Sequence, residues 1–220
     1  MKKSLPAALI LLICLIGFSG EPAAQEPTFE QIKRIAEKGH AIAQYKMATI
    51  YFNGNGVPKN NAEAMNWYLR AANQDYTIAQ YNLGVIYQSG NGAAKDFAKA
   101  LNWYQKAAEK GFAGAQNKLG MMYEKGQGVP RNYAEAMKWY LKAAEQNYAA
   151  AQYNLAQIYF HGRGIRKDNV KAYAWCALAA ANGHFAGKNY LTLIESKMKP
   201  AQIKRAQAEA AGLHSKYKKS

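Results

Sequence analysis

Apolar positions along the chain fall in short blocks with helical spacing, and the blocks alternate between two kinds. Residues 41–52 show the first kind, with Ala43, Met47, Ile50 and Tyr51 on one helical face. Asn53-Gly54-Asn55-Gly56 ends it, because asparagine and glycine tolerate the left-handed backbone that stops a helix. The second kind begins near residue 61, after Asn60, a strong N-cap residue. It aligns Ala64, Trp67 and Ala71, with Tyr68 and Ala72 beside them. Gly39, Asp75, Gly111, Asn147 and Gly183 close blocks of this kind, all residue types found at left-handed C-caps.

The alternation has a fixed period of 36 residues. Ala43, Met47, Tyr51, Ala64 and Trp67 return as Ala79, Leu83, Tyr87, Ala100 and Trp103, then as Ala115, Leu119, Tyr123, Ala136 and Trp139, then as Ala151, Leu155, Tyr159, Ala172 and Trp175. A period of this length marks a solenoid, in which each helix pair completes its core against its neighbours. The pattern predicts an all-α fold, an α-solenoid of stacked αα-hairpins, with repeats at 41–76, 77–112, 113–148 and 149–184. Asn60, Asp96, Asn132 and Asp168 are expected to cap the second helices, with Glu63 and Glu135 placed for a capping box. Alanines allow close backbone approach, and each tryptophan is expected to fill space between helices.

Half-repeats flank the array. Phe29 to Lys38 reads as a worn second helix within an N-terminal cap spanning 23–40, where Gln31 replaces the tryptophan. Residues 185–220 read as a final first helix over Phe185 to Ile194, then a capping helix over 201–214 that Pro200 opens, then a basic tail.

The formal net charge is +15. The lysines are spread over every repeat, with no basic stripe interleaved with aromatics, so a specific nucleic-acid surface is not indicated. Lys2 and Lys3 precede an apolar run from Leu5 to Phe18, shorter than the roughly 20 residues a spanning helix needs. Residues 1–22 therefore read as a signal peptide, and the mature protein as exported, periplasmic or secreted from a bacterium.

Candidate chemistry is sparse. Once Cys14 is removed with the leader, Cys176 stands alone, which precludes an intrachain disulfide. His40, His161, His184 and His214 show no metal-ligand spacing, and no nucleophile motif is present. The Gly-x-Gly loops follow no strand and recur in every repeat, so they read as turns rather than phosphate cradles. No catalytic, cofactor-binding or metal residue is assigned.

The landmarks from Ala113 to Tyr123 (A-x-A-Q-x-x-L-G-x-x-Y), Gly126 to Val129 (G-x-G-V) and Glu135 to Ala144 (x-A-x-x-W-Y-x-K-A-A) resemble the Sel1-like repeat family, a relative of the tetratricopeptide repeat. The resemblance implies right-handed superhelical stacks that act as protein-interaction scaffolds. It also implies a concave groove lined by the first helices. The groove positions would be Ile42, Tyr45, Thr49 and Phe52; Ile78, Tyr81, Val85 and Gln88; Gly114, Asn117, Met121 and Glu124; and Ala150, Tyr153, Gln157 and Phe160. These vary between repeats while packing positions do not, as expected of a surface reading one asymmetric protein or peptide partner. One branch of the family is associated with penicillin binding, but its repeat cysteines are missing here. An envelope hydrolase and attachment to anionic surfaces through the basic C-terminus are the alternatives.

Overall fold

A computed structural model describes residues 27–217. The predicted leader 1–22, with Cys14, and the last three residues lie outside them. Eleven helices run in chain order: α1 (Phe29–Glu37), α2 (Ala41–Asn53), α3 (Asn61–Asn73), α4 (Thr77–Ser89), α5 (Phe97–Glu109), α6 (Ala113–Lys125), α7 (Tyr133–Ala144), α8 (Ala149–His161), α9 (Asn169–Ala181), α10 (Gly187–Glu195) and α11 (Pro200–Tyr217). No strand occurs among the described residues. Each even-numbered helix from α2 to α8 packs on the helix after it and on the helix before it, which makes the chain an α-solenoid of helix pairs.

The helix ends follow local chemistry. Side-chain oxygens of Asn60, Asp96, Asn132 and Asp168 accept backbone N–H groups in the first turns of α3, α5, α7 and α9. Asp75 and Asn147 adopt φ of 65° and 60°, in line with Gly39, Gly111 and Gly183 at the same place. Glu63 and Glu135 lie next to their caps, yet the reciprocal capping box forms elsewhere. At α1 the Thr28 hydroxyl accepts from the Gln31 amide (3.3 Å), while Thr28 N–H donates to Gln31 Oε1 (2.9 Å). Thr28-x-x-Gln31 is the Ser/Thr-led form of the motif. The residue replacing tryptophan in this half-repeat is therefore used to start the capping helix.

Alanine and one glutamine hold successive pairs together. The alanines at 64, 71, 72 and their repeat equivalents are almost wholly buried, apart from the half-buried Ala180. Early in each first helix a buried glutamine donates to a carbonyl in the last turn of the preceding helix. Gln44 Nε2 meets Ala36 O at 3.1 Å, Gln80 meets Ala72 at 3.2 Å, Gln116 meets Ala108 at 3.1 Å and Gln152 meets Ala144 at 3.1 Å. Each of those carbonyls also accepts the backbone N–H three residues on, from Gly39, Asp75, Gly111 or Asn147 at 3.0 Å, so the glutamine uses its second lone pair and ties two helices together. A third helix joins three of the clamps: Gln74, Gln146 and Asn182 donate to the glutamine oxygens of Gln44, Gln116 and Gln152. In the second repeat Lys110 takes that place and turns to Asp75 instead (2.6 Å), leaving Gln80 Oε1 without a partner among the described residues.

The tryptophan row is less uniform than the sequence suggests. Trp67 and Trp175 are buried, whereas Trp103 and Trp139 are half-buried. A cation three residues on lies over the first three indoles: Arg70 at 4.5 Å, Lys106 at 4.4 Å and Lys142 at 4.3 Å. Such contacts stabilise exposed rings by about 0.5–1 kcal/mol. In the fourth repeat Leu178 stands where the cation would be, and Tyr217 of α11 stacks on Trp175 at 6.1 Å. Helix α11 thus lies on α9 and closes the stack, continuing to Tyr217 rather than ending near 214. The final first helix starts at Gly187, two residues later than predicted, leaving Phe185 93% exposed.

The second glycine of the Gly-x-Gly loops also joins repeats. Gly56 and Gly128 share a left-handed backbone, φ 75° and 73°. A Cβ on Gly128 would fall 2.6 Å from Phe97 O at the start of the preceding second helix, but a Cβ on Gly56 meets nothing within 4 Å. Replacing either glycine by alanine strains the backbone, and only Gly128→Ala also separates two repeats. Urea unfolding is expected to show Gly56→Ala costing about 1 kcal/mol and Gly128→Ala about 1–3 kcal/mol more. Equal losses would contradict the stacking role.

Candidate interaction surface

The groove positions nearest the middle of each first helix form a ladder of rings. Tyr45 packs against Tyr68 of its own repeat at 5.9 Å and against Tyr76, which heads the next first helix, at 5.2 Å. Tyr81 repeats this with Tyr104 (5.7 Å) and Phe112 (5.0 Å). Tyr153 stacks on His184 at 4.2 Å and meets Tyr190 at 5.2 Å. All three tyrosines are half-buried, so they pack and also present an edge. Asn117 breaks the ladder: it is buried and its Oδ1 accepts from Asn154 Nδ2 at 2.9 Å.

Two turns on, the same face becomes polar in the middle repeats. Tyr104 Oη donates to Gln88 Oε1 at 2.9 Å, and Tyr140 Oη donates to Glu124 Oε2 at 2.7 Å. The loop residue one repeat ahead completes each contact: Gln127 meets Gln88 at 3.4 Å, and the Arg163 guanidinium pairs with Glu124. Glycine makes this arrangement possible. A Cβ on Gly84 or Gly120 would stand 2.5 Å from the ring of Tyr104 or Tyr140. The fourth repeat pairs Ala156 with the smaller Cys176. Burial holds the Tyr104 and Tyr140 phenols far above their ordinary range, and the Glu124 carboxylate adds to this at Tyr140. Both remain neutral donors.

Of the sixteen groove positions, Ile42 and Ile78 are exposed, Gly114 is buried, and eleven are partly exposed: Tyr45, Thr49, Phe52, Tyr81, Val85, Gln88, Met121, Glu124, Ala150, Tyr153 and Gln157. Asn117 and Phe160 are buried. Phe160 belongs to an aromatic cluster at the C-terminal end that sequence reasoning did not assemble. Tyr190 of α10 packs on it at 5.5 Å, His161 lies within 3.2 Å of Tyr190 Oη, and Phe185 continues the Tyr153–His184 stack at 5.2 Å. One signal was available: His184 stands at the position of Tyr76, Phe112 and Tyr148.

The reactive side chains are quiet. Burial pushes the Cys176 thiol up to about 12, and its sulfur lies 3.3 Å from Gly187 O. Burial lowers both His161 and His184, with Arg163 and Lys167 adding to the effect at His161. Among the described residues, no three metal-ligating side chains converge.

The ladder, glutamine clamps and glycine loops define a helical-pair repeat protein of the solenoid class. Residues 41–76, 77–112, 113–148 and 149–184 each match the Sel1 repeat, and the chain belongs to that family. It is similar to c5321, a protective antigen present in uropathogenic Escherichia coli strains. That crystal structure displays an SLR fold and superposes with a TM-score of 0.79 at 37% identity, over 86% of this chain and 40% of that one. A Sel1 repeat protein from Oxalobacter formigenes superposes with a TM-score of 0.69 at 27% identity, over 86% and 83% of the two chains. Seventy-one residues are 42% identical to the secretory immunoglobulin A-binding protein EsiB of Escherichia coli O6:H1 (strain CFT073), or 32% of this chain and 14% of EsiB. The chain thus spans well under half of EsiB and of c5321.

The histidines give the surface a pH signature. Unfolded histidine titrates near 6.5, and both folded groups lie below that. Unfolding therefore takes up protons, so their contribution to stability is complete above about pH 6.5 and is lost as pH falls through the folded values. Asp75, lowered by Lys110, and Asp96, lowered by the Lys99 N–H, act only at more acidic pH, near the carboxylate range. Urea midpoints are expected to fall between pH 7 and pH 5, and a His161→Gln/His184→Gln variant to show a flatter profile. An unchanged slope in that variant would contradict the assignment.

Proposed function

We propose that this chain is an exported, non-enzymatic scaffold that binds a protein or peptide partner along the variable face of α2, α4, α6 and α8. The observation that carries this reading is the contrast within the repeat. Alanines, glutamine clamps and loop glycines recur from repeat to repeat, while the half-exposed positions of the same helices change. A surface that only packed would be as repetitive as the core. Tyr45, Tyr81 and Tyr153 supply rigid rings at low rotamer cost, and Gln88, Glu124 and Arg163 add polar contacts between them. EsiB, which shares part of this sequence, is an immunoglobulin A-binding protein, and this supports a protein-binding role for the chain. No described helix is long and apolar enough to cross a membrane.

Anionic surfaces are a second reading, supported by one cavity. Arg166, Lys167 and Lys171 from the loop and start of α9 and Arg205 from α11 line a cavity of about 710 Å³. Attachment there would weaken steeply with salt.

Substitution of Tyr45, Tyr81 or Tyr153 would disturb packing, so the test uses half-exposed positions: Thr49→Arg, Val85→Arg and Gln157→Arg together. Affinity capture from the exported fraction of the native cell, followed by mass spectrometry, is expected to lose its partner at least tenfold with this folded triple variant. Capture should resist moderate salt. Undiminished capture would exclude the groove, and capture abolished by salt alone would favour the basic cavity.

A further inference from the structure

The glutamine clamp of the second repeat is incomplete. Gln80 lies in the opening turn of α4 and is 1% exposed. Its Nε2 donates to Ala72 O (3.2 Å) and to Asp75 Oδ1 (3.2 Å), so turning the amide over would set its oxygen against two acceptors. Its Oε1 is buried and has no donor among the described residues. Buried polar atoms are almost always paired. The fourth repeat shows what is missing. There Asn182 Nδ2 donates to Gln152 Oε1 at 2.9 Å and to Asn147 Oδ1 at 3.4 Å, one carboxamide bridging two acceptors. Two repeats earlier the same three positions are Lys110, Gln80 and Asp75. Gln74 and Gln146 supply the same carboxamide donor to Gln44 and Gln116, both at 2.7 Å.

Lys110 does not fill the place. Its Nζ donates to Asp75 Oδ1 (2.6 Å) and Asp75 O (2.9 Å) rather than to Gln80. Gln80 and Lys110 line a cavity of about 350 Å³ together with Asn73, Asp75, Lys106 and Glu109. Two carboxylates and two ammonium groups leave it without net charge, which favours a neutral polar group over an ion. Lys106 brings a donor: its Nζ lies 4.4 Å from the centre of the Trp103 ring and pairs with no carboxylate among the described residues. The cavity thus offers one acceptor in Gln80 Oε1, a second in the Asp75 carboxylate and a donor in Lys106. A carboxamide carries the matching set, two N–H donors and one carbonyl acceptor.

We propose that the open clamp takes the carboxamide of a glutamine or asparagine side chain from the bound polypeptide. Its two N–H groups donate to Gln80 Oε1 and Asp75, as the Asn182 amide does to Gln152 and Asn147, and its oxygen accepts from Lys106. The source of the group rests on the reading that this chain binds a protein; the match of carboxamide to cavity stands without it. Asp75 directly precedes Tyr76, whose ring packs on Tyr45, so the site adjoins the groove between the first two repeats.

The probe is N-acetyl-glutamine methylamide, and the control is its glutamate analogue, in which an anionic oxygen replaces the side-chain nitrogen. Each is titrated into the full exported chain and followed in ¹H–¹⁵N spectra. The glutamine probe is expected to give saturable shifts at the Gln80 side-chain amide and at the Lys106 and Lys110 backbone N–H groups, at least fivefold larger than the control gives. Lys110→Gln supplies the carboxamide internally, as Gln74 and Gln146 do, and should weaken the response at least tenfold. Lys110→Met removes the ammonium group without supplying a donor and should keep the response within threefold, which separates filling of the clamp from loss of the lysine. Equal responses to the two probes, no saturable response to either, or equal effects of the two substitutions overturn the proposal. Partner capture separates it from the wider reading. Capture reduced by Lys110→Gln but not by Lys110→Met supports the assignment. Capture indifferent to Lys110→Gln but lost with the triple arginine variant removes the polypeptide from the clamp and keeps the groove. Capture that survives the triple variant removes the groove, and the probe titration still decides the clamp.

Discussion

The hydrogen bond from a first-helix glutamine to the last turn of the preceding helix is the contact on which the stack depends. Gln44, Gln80, Gln116 and Gln152 make it at the four junctions from α1–α2 to α7–α8, at 3.1–3.2 Å and out of solvent. A pair of this kind contributes on the order of 1 kcal/mol, but leaving the buried glutamine amide without an acceptor costs about 1–3 kcal/mol. The asymmetry makes the bond a specificity device: a helix pair docked in another register loses more than it gains. Around it, alanine sets the distance between backbones and the loop glycines set the spacing of successive pairs.

A frame fixed so tightly frees the remaining positions to differ. Glycine at 84 and 120 lets Tyr104 and Tyr140 swing across the first helix and deliver hydroxyls to Gln88 and Glu124. The first repeat has Ala48 against Tyr68, and the fourth has Ala156 with Cys176, which carries no phenol to deliver; those repeats end in Phe52 and Phe160 instead. Small changes at these two facing positions thus accompany a polar middle and apolar ends along the same face. The third repeat carries the contrast furthest, with Gly114, Asn117 and Glu124 standing where its neighbours place mostly apolar or aromatic residues.

Most of the architecture was legible in the sequence because it repeats. Caps at Asn60 and Asp168, left-handed stops at Asp75 and Asn147, and buried alanines follow from residue type and spacing alone. Contacts between repeats were harder to read. The clamp glutamines recur in the sequence, but nothing local shows that their amides reach back eight residues to a carbonyl. The cation over the first three tryptophans is part of the repeat, but Tyr217, which covers Trp175 in the fourth, comes from outside the pattern. The groove positions could be named from the resemblance to helical-pair repeats. Which of them are buried depends on Asn154, Tyr190 and Arg163, which lie in a neighbouring repeat or in the C-terminal half-repeat.

The molecule divides into a repetitive frame and a variable face, and recognition is proposed to fall to the face. Hydrogen exchange of the chain bound to its captured partner, compared with the free chain, measures that division most directly. Added protection is expected over 41–53, 77–89, 113–125 and 149–161, with α3, α5 and α7 unchanged. Protection gathered instead on α11 and the start of α9 would contradict the account and place the interaction on the basic end of the stack.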